Sequence, residues 1–366
     1  MCGILGLWPV PRRSRRFLMP KNHRRMPLDL QNGLVELAHG AGGRAMAALI
    51  GEVFYPAFNN ELLLEQNDQA IFSVDAGRLA FTTDSFVVSP LFFPGGNIGD
   101  LAVNGTINDI ALGGATPQYL SASFILEEGF PLKDLVIIAN TMGDCARSAG
   151  VKIITGDTKV VERGKADGVF IATTGLGVLR TDIVLSANKI TPGDCLILSG
   201  PIGDHGMAIL SKRENLSFET NIVSDQAALH ELIERIIDVG GDNIRVMRDP
   251  TRGGLAAALN ELAEKSNIGF VIDENKIPIN SSVAAACEFL GLDPLYVANE
   301  GKLITVVAPS AASAVLNAMR DHPFGREAEI IGKASEDSRF FVQMKTRFGG
   351  RRIIDHLSGE LLPRIC

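Results

Sequence analysis

The sequence predicts an α+β protein of two domains that ends in an extended arm, and three observations carry that expectation. A chain of 366 residues with 46% apolar residues is long for one core and ample for two of ordinary size. Strand-like and helix-like apolar spacings alternate along both halves. Each half runs through a β-rich opening, a Gly-rich turn, a helix, an acid or amide at a turn and a strand, without a close residue-level repeat. The chain then closes on Gly359-Glu360-Leu361-Leu362-Pro363-Arg364-Ile365-Cys366, where Pro363 biases Leu362 toward extended backbone. Gly349 and Gly350 precede this end by about sixteen residues, enough to span roughly 50 Å fully extended. A thiol on such an arm can be loaded in one place and processed in another. For the tail taken alone, a disordered end with an incidental thiol is the commoner explanation.

Composition narrows the class. The five cysteines, at positions 2, 145, 195, 287 and 366, form no CxxC pair and no metal spacing, which argues for a reducing cytoplasm and against a disulfide framework. No stretch approaches the roughly 18 to 20 apolar residues of a spanning helix, so a soluble protein without membrane contact is expected. Seven of the 35 basic residues lie within residues 1–28, which hold no acid, leaving 28 basic against 42 acidic residues for the rest. That acidic body disfavours nonspecific nucleic-acid binding. It does not disfavour nucleotides, since a few local groups with magnesium offset a triphosphate.

Residues 1–30 are expected to be a disordered extension. Their apolar part, Cys2 to Val10, precedes the arginines, the reverse of a secretory signal. Met1-Cys2-Gly3-Ile4 is superficially like the start of N-terminal-Cys amidotransferases, but a Pro/Arg-rich run follows at once. Met19 or Met26 is the more natural start.

The first domain is expected over residues 31–182. His39-Gly40-Ala41-Gly42-Gly43-Arg44 leads into a helix pattern at Ala45 to Ile50, and small residues there let backbone N–H groups face an anion. No Gly-Lys-Ser/Thr follows, so this is not a P-loop, and a plain turn explains it as well. Strand patterns follow at Ala70 to Val74 and Leu79 to Thr83. The second runs into Asp84, a place suited to a metal ligand and equally to a turn cap. Asp100 to Ala111 has helical apolar spacing with Asn104 and Asn108 on one face and Asp109 beside them, a polar patch bracketing Gly105. A helix from Leu132 to Ser148 precedes the strand Lys152 to Thr155. Next comes Gly156-Asp157-Thr158-Lys159-Val160, where Asp157 could ligate magnesium and Lys159 contact a phosphate or substrate oxygen; a solvated turn is an even alternative. Val169 to Val178 closes the domain.

The second domain, residues 183–345, opens with the strand Cys195 to Leu198 and the turn Ser199 to Gly206. His205 in that turn has no paired base or ligand in sequence, which favours a structural role. An amphipathic helix is expected from Gln226 to Val239. Arg248-Asp249-Pro250-Thr251-Arg252-Gly253-Gly254 introduces another over Leu255 to Lys265, with Arg252 placed for a phosphate or carboxylate. Ala298-Asn299-Glu300-Gly301 leads into the strand Lys302 to Val307, and Glu300 is either a general base or a surface acid. Residues 346–366 are expected to form the flexible tail.

His39 to Gly43, Asn104 to Asp109, Gly156 to Val160, Arg248 to Gly254, Ala298 to Gly301 and the terminal Pro363-Arg364-Ile365-Cys366 together resemble the HypE family. These are the carbamoyl dehydratases of nickel–iron hydrogenase maturation. The similarity covers about residues 34–366 in order, and the Pro-Arg-Ile-Cys end is its most specific part. The resemblance implies the PurM-like fold of aminoimidazole ribonucleotide and selenophosphate synthetases: an N-terminal domain that forms a homodimer through its sheet, and a C-terminal α+β domain. It implies that a HypF-type carbamoyltransferase loads Cys366 as a thiocarboxamide, that ATP drives dehydration to a thiocyanate, and that the cyano group passes to iron on a HypC–HypD scaffold.

For this chemistry Asp84, Asp109 and Asp157 are the magnesium candidates, using hard oxygen ligands. Asn108, Thr158 and Arg252 join the ATP-binding set, Lys159 offsets developing charge, and Glu300 takes a proton from the thiocarboxamide nitrogen. Competing readings are another PurM-like ATP-dependent synthetase, of selenophosphate or aminoimidazole type, and a non-catalytic maturation scaffold. The first needs no terminal Cys, and intact Asp84, Asp157, Lys159 and Glu300 argue against the second.

Overall fold

The computed structural model describes residues 27–41, 43–63, 70, 72, 77–179, 183–216, 222–337, 339–356 and 364–365. The expected N-terminal extension up to residue 26, most of the strand expected at Ala70 to Val74, and Cys366 itself lie outside the described residues.

The N-terminal part opens with α1 (Gly43–Leu49), which continues through a π-helical turn at Ile50–Phe54 into α2 (Tyr55–Phe58). Then follow β1 (Leu79–Phe86), a small hairpin of β2 (Phe92–Phe93) and β3 (Gly96–Asn97), α3 (Ile98–Leu112), β4 (Ala115–Glu127), α4 (Leu132–Ser148), β5 (Lys152–Val161) and β6 (Val169–Leu179). The sheet has the order β1-β6-β4-β5, with only the β4–β5 pair parallel. Burial alternates along β4 from Leu120 to Leu126 and along β6 from Val169 to Gly177. Leu120, Ala122, Phe124 and Leu126 of β4 pack with Val169 and Ile171 of β6 against α3 and α4, so one face is buried and the other is left open.

Helix α3 is the joint of the molecule. Asn97 caps it, accepting from Gly99 N at 2.8 Å while the Asp100 carboxylate reaches back to Asn97 N, a reciprocal cap that satisfies two otherwise orphaned donors. Its buried residues run all the way round, because the first sheet covers one side and the second domain the other. Ala111 and Leu112 belong to a core cluster shared with that domain.

The second domain comprises β7 (Cys195–Leu198), α5 (Asp204–Arg213), α6 (His230–Gly240), β8 (Ile244–Arg248), α7 (Gly254–Ser266), β9 (Gly269–Asp273), α8 (Ser281–Leu290), β10 (Ile304–Val307), α9 (Ala312–Arg320), β11 (Glu329–Ser335), β12 (Val342–Lys345) and β13 (Arg351–Ile354). Its sheet has the order β13-β12-β9-β11-β7-β10-β8. Leu196 and Leu198 face α7, while Ile197 between them faces α6 and α9. This central strand is therefore buried on both sides, and it reads as a continuous apolar run rather than an alternating one.

Two expectations shift here. Gly349 and Gly350 are the β12–β13 turn, with Gly349 at φ +85°, rather than the root of a free arm. Strand pairing continues to Ile354, so the tail starts later than residue 346. Residues 357–363 lie outside the described set, and Arg364 and Ile365 lie back on the body.

Candidate active site

Four carboxylates meet where the two domains join. Asp84 near the end of β1 pairs in register with Thr173 of β6, on the sheet face that α3 covers. Asp109 on α3 accepts from Thr82 Oγ1 at 3.0 Å, which holds it against β1. Asp249 follows β8, and Glu300 precedes β10. All four have raised pKa values, with burial the leading cause in each. Asp84 also raises Asp109, Asp249 and Glu300, and Asp109 raises Asp249, which is pushed up to about 6. The Arg252 charge opposes the rise at Asp84 and Glu300, and Arg248 opposes it at Asp109 and Asp249.

Glu300 is 6% exposed, its pKa lies well above the ordinary value, and its Oε1 has no hydrogen-bond partner. An unpartnered buried carboxyl oxygen is costly for stability and is the kind of group a substrate satisfies. Its backbone is tightly held: Glu300 N donates to Asp225 Oδ1 at 3.1 Å. Asp225 Oδ2 makes no hydrogen bond but lies 3.2 Å from Lys302 Nζ in an ion pair. A Cβ at Gly301 would overlap the Asp225 carbonyl, so only glycine lets the two loops approach this closely. Asn299 ties the same region to the Asp249-Pro250 turn, donating to Pro250 O at 2.8 Å and accepting from Gly203 N at 2.7 Å.

Asn104 and Asn108 do share a face, and that face meets the second domain. Asn104 Nδ2 donates to Gln226 Oε1 at 2.7 Å. Asn108 Nδ2 donates to Ala227 O at 2.9 Å and Glu300 O at 3.3 Å, and its Oδ1 accepts from Leu229 N at 2.7 Å. The Asn108 amide is thus committed to holding the Glu300 loop on α3. These bonds also keep residues 226–229 out of the helix expected from Gln226, which starts at His230.

Asp157, Thr158 and Lys159 are elsewhere. Across the sheet Asp84, Thr173, Ala122 and Gly156 share one level and one face, whereas Asp157 is level with Ser123, Ala172 and Ser85 on the opposite face. Direct neighbours across a ladder point the same way, and consecutive residues point opposite ways. Within one chain, therefore, Asp157 does not join Asp84 and Asp109 around a single ion, which corrects the expected three-carboxylate set. Asp157 and Lys159 are exposed and paired at 2.8 Å, and that cation lowers the Asp157 pKa. Thr158 is buried between them. The glycine-rich loop packs on this strand: a Cβ at Gly40 would collide with Val160 N. A cavity of about 440 Å³ between the α1–α2 segment and β5 is lined by Phe54, Phe58, Phe124, Asp157 and Thr158.

Arg252 lies exposed just before α7. Among the described residues no three His, Cys, Asp or Glu side chains are grouped to hold a metal ion, and no helix is long and apolar enough to cross a membrane.

Sequence reasoning passed over Asp225, for which there was no signal. It also passed over Asp249, although the rule that singled out Asp84, an acid at a strand end, applies equally there. His205, expected to be structural, is fully buried and bonded to Ser224 Oγ and to Ile365 O, each at 2.8 Å. Ile365 is thus linked through the His205 ring to Ser224, the residue just before the Asp225 that holds Glu300.

Both halves match known domains. The N-terminal domain of AIR synthase related proteins matches residues 66–179 and the corresponding C-terminal domain residues 191–345. A carbamoyl dehydratase HypE from Bradyrhizobium diazoefficiens is 64% identical over 339 residues, covering 93% of this chain and 98% of that protein. A crystal structure of hydrogenase maturation protein HypE in complex with ATP superposes with a TM-score of 0.87 at 46% identity, covering 90% of this chain and 99% of that one. A HypE chain from a HypE–HypF complex superposes with a TM-score of 0.75 at 49% identity, covering 85% and 100%. With both AIR-synthase-type domains present and a relative this similar along nearly its whole length, the chain belongs to the HypE family of carbamoyl dehydratases and is an enzyme with their PurM-like two-domain fold.

Proposed function

We propose that this enzyme uses ATP to dehydrate a carbamoyl group carried as an S-carboxamide on its own Cys366, giving an S-cyanate that supplies cyanide to the iron of a nickel–iron hydrogenase. One observation carries the reading: the chain's C-terminal segment returns to the body at Ile365, whose carbonyl meets His205 and through it Ser224, next to the Asp225 that holds Glu300, and Glu300 Oε1 is buried without a partner. The ATP complex of a 46% identical relative supports the choice of co-substrate.

The amide oxygen attacks the γ-phosphorus, ADP leaves, and the nitrogen loses one proton. Loss of the second nitrogen proton then expels the oxygen as phosphate and leaves the C≡N bond. Glu300 takes a nitrogen proton. Burial raises its pKa well above the ordinary carboxylate value, which makes its ionised form a stronger proton acceptor than an exposed glutamate. Asp84 and Asp109, with Asp249 beside them, would hold magnesium. Mutually raised carboxylates accumulate charge that a hard cation offsets, and one or two carboxylates suffice where nucleotide phosphates complete the shell. The ion would neutralise charge building on the phosphates. Arg252, whose charge acts on Asp84 and Glu300, would contact a phosphate, while Asn108 keeps Glu300 in place.

Lys159 and Asp157 enter through a second copy of the chain. Their sheet face exposes Leu79, Phe81 and Ile125 at 47%, 72% and 44%, an apolar surface suited to burial. A homodimer closed over it would bring Asp157 and Lys159 to a shared ATP site, where Lys159 offsets developing charge, with Thr158 buried behind them in the strand. A HypF-type carbamoyltransferase loads the thiol, as a HypE–HypF complex of a relative suggests. A HypC–HypD scaffold receives the cyano group in the cytoplasm.

The test is intact mass after incubation with HypF, carbamoyl phosphate and ATP. The wild type should gain about 43 Da and then settle at about +25 Da as water leaves. Lys159→Ala and Glu300→Ala should stop at the first mass. An unloaded wild type, or a loaded Cys366→Ala, overturns the proposal.

A further inference from the structure

The last two described residues are held residue by residue, not merely laid on the surface. The Arg364 carbonyl accepts from Ser89 N at 3.1 Å and from Arg213 Nη2 at 2.7 Å, and Arg213 Nε donates to Ser89 O at 2.8 Å. The Arg364 side chain donates through Nε to Val87 O at 3.1 Å and pairs through Nη1 with the exposed Asp167 carboxylate. Ile365 is 4% exposed, in a core cluster that also contains Ile209 and Ala298.

The Ile365 carbonyl meets His205 Nε2 at 2.8 Å. A carbonyl only accepts, so Nε2 carries the proton. Burial lowers the pKa of the ring and so favours the neutral tautomer in which Nδ1 accepts from Ser224 Oγ, whose lone pair in turn receives Gln226 N at 3.2 Å. The ring also stands edge-on to Phe93. Both domains contribute, Val87, Ser89 and Asp167 from the first, His205 and Arg213 from the second. Arg364 docks at φ +54°, a left-handed conformation that a non-glycine residue keeps only where surrounding contacts impose it.

A charge, a backbone carbonyl, an apolar side chain and a second carbonyl are each read by separate groups. We propose that this interdomain slot is a sequence-reading receptor for an Arg-Ile dipeptide, and that it accepts the dipeptide from a separate peptide as well as from the chain's own end. His205 is the positioning residue at its inner end. Neither ATP nor carbamoylation enters this binding, so its failure leaves the dehydration reading standing, and the converse holds too.

The experiment measures fluorescence anisotropy of a labelled peptide Leu-Leu-Pro-Arg-Ile-Ser on the full-length chain. In wild type the tethered end competes at high effective concentration, so the Ile365→Asp chain, whose own end is expelled, should bind the peptide at least about tenfold more tightly. Arg364→Glu empties the slot without touching its apolar pocket and serves as the second host. A peptide with Glu in place of Arg should fail on either host and bind again on the Ile365→Asp host once that host also carries Asp167→Arg, a change at an exposed position. His205→Gln, which keeps an N–H donor, should retain binding that His205→Leu loses. Equal binding to wild type and both hosts, no saturable binding to either host, or no charge-swap rescue overturns the proposal.

Discussion

At the scale of single residues, the junction carboxylates set activity against stability. Asp249 has its pKa raised from 3.8 to about 6, first by burial and then by Asp109. Because the folded value lies above the unfolded one, the protonated carboxyl contributes stability that is complete below about pH 4 and is lost as pH rises through about 6. Asp249→Asn, neutral at every pH, should therefore be more stable than wild type at pH 8 by about 1 to 3 kcal/mol without nucleotide or metal. Urea midpoints should show that gain vanish at pH 4, and equal midpoints at pH 8 would contradict it. Magnesium with ATP should narrow the difference by stabilising the wild type alone. Glu300 follows the same sign, raised first by burial, so Glu300→Gln should raise the melting temperature while abolishing dehydration of the loaded enzyme. A variant that is both active and no more stable contradicts its role.

At the scale of elements, α3 carries the site because it serves two domains. Asn108→Ala removes three hydrogen bonds to residues 227, 229 and 300 and strands buried backbone groups. The expected loss is about 2 to 4 kcal/mol, read from the urea midpoint at unchanged slope, with dehydration falling further than loading. A loss below that range would mean the amide is replaceable.

How far these elements were legible depended on whether local pattern decided them. The α4 helix was readable to its ends, and α3 to within a turn, from apolar spacing alone. By contrast β4 left no readable signal in 115–127, because Pro117 interrupts the run. The ladder absorbs it at a register shift between Pro117 and Tyr119, as proline in a sheet requires. Residues 226–229 look helical but are held out of the helix by Asn108, a tertiary contact absent from any window of sequence. The motif residues were correctly singled out, yet their facing was not, since Asp84 and Asp157 each follow the same rule and fall on opposite faces of one sheet.

At the scale of the whole molecule, that facing has a consequence for assembly. If Lys159 serves a site on the second copy, Lys159→Ala and Glu300→Ala, each inactive alone, complement one another on mixing. A mixed dimer then has one intact site and one doubly defective site, so random exchange should restore about a quarter of wild-type dehydration. Sites built within single chains would restore none. Phe81→Glu on the open sheet face should give a monomer in sedimentation analysis and remove dehydration while sparing the fold. The central claim, that ATP activates the carbamoyl oxygen as a leaving group, is tested most directly by loading the enzyme with carbamoyl phosphate carrying oxygen-18 in its carbonyl and analysing the products of one turnover. The label should appear in inorganic phosphate as the enzyme-bound group becomes a nitrile, whereas label released into water would contradict it.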